Sequence, residues 1–319
     1  MPARVRTLVT GCPELAAVLA AAIIGLSVQR PLAWLAGREG ISVLLAVLVF
    51  ATALTIRPAE FRRLAVAWRP LLAVLAVGVT VIPALSWAAS LLVGAGPLRN
   101  GVMGLGLAPC EIASVATTAM VGGETALAAG VLIGSTVTTV AFAGPVLTLE
   151  AGHAGVSSGG IIVGLALVVA LPLTVGIGLR AGLPPVPWAR VTARALSTAR
   201  AERAASATSV VAVAALVALI ASEVHLSASY AAVAGALVAF LAGTALAGQL
   251  LSRRSRPRTA AALLLTTSMR DFAIAAGLAT AAFGPAAAAP LALYGILVLV
   301  WGTAVAGLLR GHGRIREAR

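Results

Sequence analysis

Lysine is absent from this sequence, and aspartate occurs once, as Asp271. Charged residues make up 10% of the chain. Soluble globular domains carry about 25%, so an ordinary soluble fold is excluded. No polar stretch is long enough to fold alone, so no appended soluble domain is expected. Cys12 and Cys110 are the only cysteines and lie far apart, which argues against a disulfide framework. The three histidines, His153, His225 and His312, all fall outside the apolar runs. An intramembrane enzyme would need a Ser/His pair or a metal cluster there, so no enzymatic activity and no cofactor are expected.

What the chain does have is apolar length. Of its 319 residues 60% are hydrophobic, and the mean hydropathy is +1.04. Runs of about 20 apolar residues recur, each sufficient for a helix to cross a bilayer. A transmembrane barrel would show short alternating segments instead. The expected fold is therefore an all-α polytopic membrane protein. Ten spans are predicted, at 13–29, 40–56, 70–93, 100–120, 125–149, 157–180, 207–222, 229–251, 259–282 and 286–309. Breakers separate them, as in "GAGP" at Gly94–Pro97 and "AGLPPVP" at Ala181–Pro187. The opening "MPARVRTLVTGC" resembles a signal or lipoprotein box, but the longer apolar run lies after Cys12, which suits a retained first span.

The arginines give orientation. The net charge of +13 invites a nucleic-acid reading, yet the basic residues are all arginine and cluster between apolar runs. With ten spans, nineteen of the 23 fall on the side that holds both termini. The other side holds Arg30, Arg38 and Arg99, and only Arg270 is left inside a span. Such asymmetry places both termini in the cytoplasm of a multi-pass plasma-membrane protein, in bacterial terms an inner-membrane one. The lipid bilayer is the expected partner of the basic loops, and no nucleic acid is expected.

Five spans on each side of a linker at about 181–206 make two halves of opposite orientation, the first about 13–149 and the second about 157–309. Inverted repeats of this kind mark transporters. The pairing rests on hydropathy and position, without residue identity between the halves. A charge at a helix centre costs about 2.5–3.5 kcal/mol on insertion scales. Those charges fall at matched places: Glu111 in span 4, and Arg270 with Asp271 in span 9. Span 4 is weakened by Gly104, Gly106 and Pro109, and span 9 carries the polar run Thr266, Thr267, Ser268. Interrupted helices at matched positions point to a transporter's binding site. The candidate substrate- or ion-binding residues are Pro109, Cys110, Glu111, Ser114, Thr117, Thr266, Thr267, Ser268, Met269, Arg270 and Asp271. A structural alternative is a buried Glu111–Arg270 ion pair that only locks the bundle. On a regular helix Arg270 and Asp271 point about 100° apart, so Asp271 needs a partner of its own or an unwound backbone. Hydroxyls such as Thr117 and Thr118 can bond back to their own helix instead of a ligand.

"LAPCEIASV" in span 4 and "TTSMRDFAIAAGLA" in span 9 resemble the two crossover motifs of the bile acid:sodium symporter family, and "ALTIRPAEFRRL" after span 2 resembles that family's stretch there. The family belongs to the superfamily that includes arsenite-efflux permeases. The resemblance implies ten helices in a core and a panel domain, with helices 4 and 9 broken and crossing near the midplane. It also implies alternating-access transport of a small organic anion, usually driven by sodium. Ala108-Pro109 matches the family's small-Pro element, and Ala113 and Ser114 match two of its Ala-Ser-Asn triplet, with Val115 in place of the asparagine. Two helix-5 hydroxyls of the first sodium site fall at Ala128 and Leu132, and a helix-3 glutamine falls at Gly78. The Glu-Val-Gly-Met-Gln-Asn run becomes Thr266 to Asp271, with Arg270 at the sodium-ligating glutamine. Most side-chain sodium ligands are thus replaced. A guanidinium there can act as a tethered cation in place of sodium, which would make transport proton-coupled or uncoupled; sodium and the proton are both candidate coupling ions. The arsenite-efflux relatives share Ala108-Pro109-Cys110, which makes metalloid efflux through the Cys110 thiol the alternative. A passive channel would lack saturation and counterflow.

Overall fold

The computed structural model describes residues 13–55, 68–150, 158–181, 195, 198–224 and 229–317. Cys12, His153, His225, most of "ALTIRPAEFRRL" and most of the 181–206 linker, with Arg57, Arg62, Arg63, Arg190 and Arg194, lie outside the described residues. Among those described, the chain is almost entirely helical and has no strand.

The first apolar run forms α1 (Pro13–Ser27) and then turns through 103° at Val28 into α2 (Gln29–Leu35). Pro31 sits in the first turn of α2, where its missing N–H removes no helical bond. After a π turn at Ala36–Gly40 comes α3 (Ile41–Ala53). The third run bends at Thr80 between α4 (Trp68–Val79) and α5 (Val81–Ser90). Pro83 has no N–H to give the turn before it, and the Thr80 hydroxyl donates to the Ala76 carbonyl at 2.7 Å. At "GAGP", Gly96 takes φ +142°, a conformation that favours glycine, and Pro97 starts the next helix at its first position.

The fourth run is α6 (Pro97–Leu105), a non-helical break, and α7 (Ala113–Met120). Then come α8 (Thr125–Glu150), α9 (Ser158–Leu165), a π turn at Ala166–Ala170, and α10 (Leu171–Ala181). Next is α11 (Ala199–Ser222), which begins eight residues before the predicted span at 207. Hydropathy misses this start because 199–206 carries Arg200, Glu202 and Arg203. Thr198 caps the helix by accepting from Ala201 N–H at 3.3 Å, the alanines favour helix, and Glu202 pairs with Arg180 on α10. The chain ends its described part with α12 (Ser229–Ser252), α13 (Pro257–Ser268), a break, α14 (Phe272–Phe283), a 3-10 turn at Pro285–Ala288, and α15 (Ala289–Glu317).

Six of these helices or bent helix pairs are long and apolar enough to cross a membrane, or seven if α1 and α2 form one bent span. The remaining predicted runs fall short as continuous helices: α3 has 13 residues, and the fourth and ninth runs are broken. α1 and α3 pack against α11, α10 packs against α3, α6 and α14 pack together, and so do α12 and α13. Small residues permit the closest approaches: a Cβ on Gly25 of α1 would come within 2.3 Å of the Ala218 carbonyl oxygen of α11. The outer surface is strongly apolar, with Ile23, Val43, Leu72, Val137, Val211 and Leu246 exposed, as a lipid-facing surface requires.

Candidate functional site

The two breaks meet. Gly106 to Ile112 and Met269 to Asp271 lie outside the helices, and Cys110 and Arg270 pair as an isolated antiparallel bridge. Glu111 N–H donates to the Met269 carbonyl and Asp271 N–H to the Pro109 carbonyl, each at 2.9 Å. An unmade bond in a buried setting costs about 1–3 kcal/mol per group, so each break supplies the partners that the other lost on unwinding.

Side chains from neighbouring helices complete the accounting. The Ser135 hydroxyl of α8 accepts from Cys110 N–H at 3.1 Å, and Thr139 donates to the Leu107 carbonyl at 2.9 Å. Ser86 of α5 donates to the Val102 and Met103 carbonyls and accepts from Gly106 N–H at 3.1 Å. Tyr294 of α15 accepts from Arg270 N–H at 3.3 Å, with its ring edge-on to Phe240. None of Ser86, Ser135, Thr139 or Tyr294 was singled out by sequence. Their signal was a hydroxyl inside an apolar run, which many Ser and Thr share without such a role.

The predicted residues are all brought to this crossing, but they divide by role. Asp271 is the N-cap of α14: its Oδ1 accepts from Ile274 N–H at 2.8 Å. This resolves the expected need for a partner or an unwound backbone, since both occur. Arg270 donates from its guanidinium to the Ala108 carbonyl, and its Nε has no acceptor. Glu111 Oε2 is also without a partner, and no salt bridge joins Glu111 to Arg270. The locking ion pair is therefore absent. Met269 packs beside Gly302, and Pro109 contributes its carbonyl. Thr117 and Thr266 bond back to Ala113 and Ala262. Ser268 accepts from the Trp301 indole at 2.9 Å, while the Ser114 and Thr267 hydroxyls are buried without partners.

Two cavities flank the crossing. The larger, about 450 Å³, lies between α1, α3 and α11 on one side and the crossing on the other. Glu111 is the sole charged residue lining it, with Thr52, Thr55, Thr125, Ser206 and Ser209 as polar neighbours. The N-terminal ends of α7 and α14 reach it through Ile112, Ala113, Phe272 and Ala273. The smaller, about 170 Å³, lies between α4, α5 and α8 and contains Arg270. The other candidates, Cys110 included, line neither cavity, and the Cys110 thiol is fully buried.

A profile of the sodium bile acid symporter family matches residues 42–232. The chain belongs to that family. It is a multi-pass membrane protein of a transporter family. No curated protein matches the chain. The match includes the first break and ends before the second, so the pairing of Cys110 with Arg270 is what ties 266–280 to the site. Two positions at which the family resemblance places sodium-ligating hydroxyls carry none. Ala128 and Leu132 are buried and apolar, and a guanidinium already occupies the Ala108 carbonyl.

Proposed function

We propose that this symporter-family protein is a secondary transporter of a small organic anion, working by alternating access and coupled to the proton. Its ten spans form two inverted five-helix repeats, about 13–149 and 157–309, in a bacterial inner membrane with both termini cytoplasmic. The cargo occupies the 450 Å³ cavity between α1, α3, α11 and the crossing.

The observation that carries the reading is Glu111. It lines that cavity with Oε2 unpartnered and no basic side chain among the lining residues. An ionised Glu111 repels an anionic cargo, whereas a protonated one accepts it and can donate a hydrogen bond. Cargo and proton therefore enter together, which is symport. The N-terminal end of α7 borders the cavity, and its helix dipole favours an anion there. Asp271 caps α14 and does not line this cavity, and Arg270 lines the other one, so Glu111 is the group placed to take the proton from, and release it to, the cargo cavity. Arg270 supplies to the Ala108 carbonyl the positive charge that sodium would bring. Metalloid efflux through Cys110 gains no support from a thiol that lines neither cavity.

Flux into proteoliposomes, with sodium and pH gradients imposed separately, tests the proposal. Uptake follows the pH gradient, and Glu111→Gln abolishes that drive while anion counterflow at equal pH persists. Strict dependence on sodium would sink it.

A further inference from the structure

The smaller cavity is not explained by cargo transport. It holds a guanidinium that is 3% exposed and has no carboxylate partner. A buried charge is tolerated when it is paired. Neither nearby carboxylate reaches it: Asp271 caps α14 through Oδ1, makes no salt bridge with Arg270 and does not line this cavity, and Glu111 lines the other one. Arg270 gives one nitrogen to the Ala108 carbonyl, a neutral acceptor, and its Nε–H is left with none.

The space beside it is real. Gly78 lines this cavity, and a Cβ built there would meet nothing within 4 Å. The remaining lining is apolar apart from Ser135, Thr138 and Thr139, with no acidic side chain. These three hydroxyls already donate to the Leu132, Ser135 and Leu107 carbonyls, so the free donor at this cavity is the Arg270 guanidinium. A cavity of about 170 Å³ with one unpaired guanidinium, a dry wall and no carboxylate fits a small monovalent anion.

We infer that the cavity between α4, α5 and α8 is a chloride-sized anion site, in which the anion is the counter-charge of Arg270. The site is separate from the cargo cavity, so its occupancy does not depend on the transport reading.

The full chain, purified in detergent, is equilibrated with radiolabelled chloride, with gluconate holding ionic strength constant. Wild-type protein binds chloride saturably. Arg270→Gln removes the charge and abolishes binding, and Arg270→Lys retains it more weakly. Gly78→Leu fills the space while keeping Arg270, and it also abolishes binding; this variant decides the matter if Arg270→Gln does not fold. Absence of saturable binding in the wild type, or its persistence in Gly78→Leu, overturns the inference. Because no flux is measured, a negative result leaves proton coupling through Glu111 standing, and loss of pH-driven uptake leaves the chloride site standing.

Discussion

Asp271, the one aspartate of the chain, is explained by a helix end. Its carboxylate accepts from Ile274 N–H in the interior of the protein, where water is not at hand to do so. Asparagine keeps the acceptor and alanine does not. Asp271→Asn is expected to unfold in detergent close to wild type, and Asp271→Ala to lose about 1–3 kcal/mol, from the lost cap and the stranded donor. A chemical-denaturation series on purified protein reads this difference, and equal losses would contradict the capping role. The sequence showed that an acid beside Arg270 must be special, because the insertion cost is large. It did not show which task each charge performs. Glu111 and Arg270 looked like natural partners from their matched positions. The fold turns them toward different cavities, and that depends on backbone direction inside the breaks.

At the scale of elements, the breaks themselves were legible. Pro109 with two preceding glycines weakens one helix, and a polar run followed by adjacent charges weakens the other. Their mutual satisfaction was not, because hydrogen bonds between residues about 160 apart have no local signature. Ser86 shows how closely the neighbours are fitted, since a Cβ on Gly106 would lie 2.5 Å from the Ser86 Cβ. Gly106→Leu is therefore expected to cost about 1–3 kcal/mol through overpacking, more than a lipid-facing change such as Val137→Leu. Thermal unfolding of the two variants side by side checks it. The start of α11 is a further case. Hydropathy located the span at 207, whereas a Thr198 cap and a Glu202–Arg180 pair extend the helix back to Ala199.

For the whole molecule, the cavity between α1, α3 and α11 and the crossing is where alternating access would act. Thr52 on α3 and Ala116 on α7 line it from opposite sides. In a cysteine-free background, Thr52→Cys with Ala116→Cys, joined by a short bifunctional thiol reagent, is expected to stop uptake. Each single variant treated alike remains active. Continued transport by the cross-linked protein would argue for a fixed pore and against movement at this cavity.

The sequence by itself determined the solvent and the style of the chain. Apolar runs with few charges dictate membrane helices, arginine asymmetry predicts an orientation, and motif order points to the symporter family. These properties depend on composition and on spacing along one helix, and both are local. Only the tertiary structure decided that Asp271 is a cap, that Glu111 faces the larger cavity and that Arg270 faces the smaller one. The reason is physical. Once a helix unwinds, side-chain direction no longer follows a fixed angular step, and the chain crossing it supplies the hydrogen bonds that set the new direction.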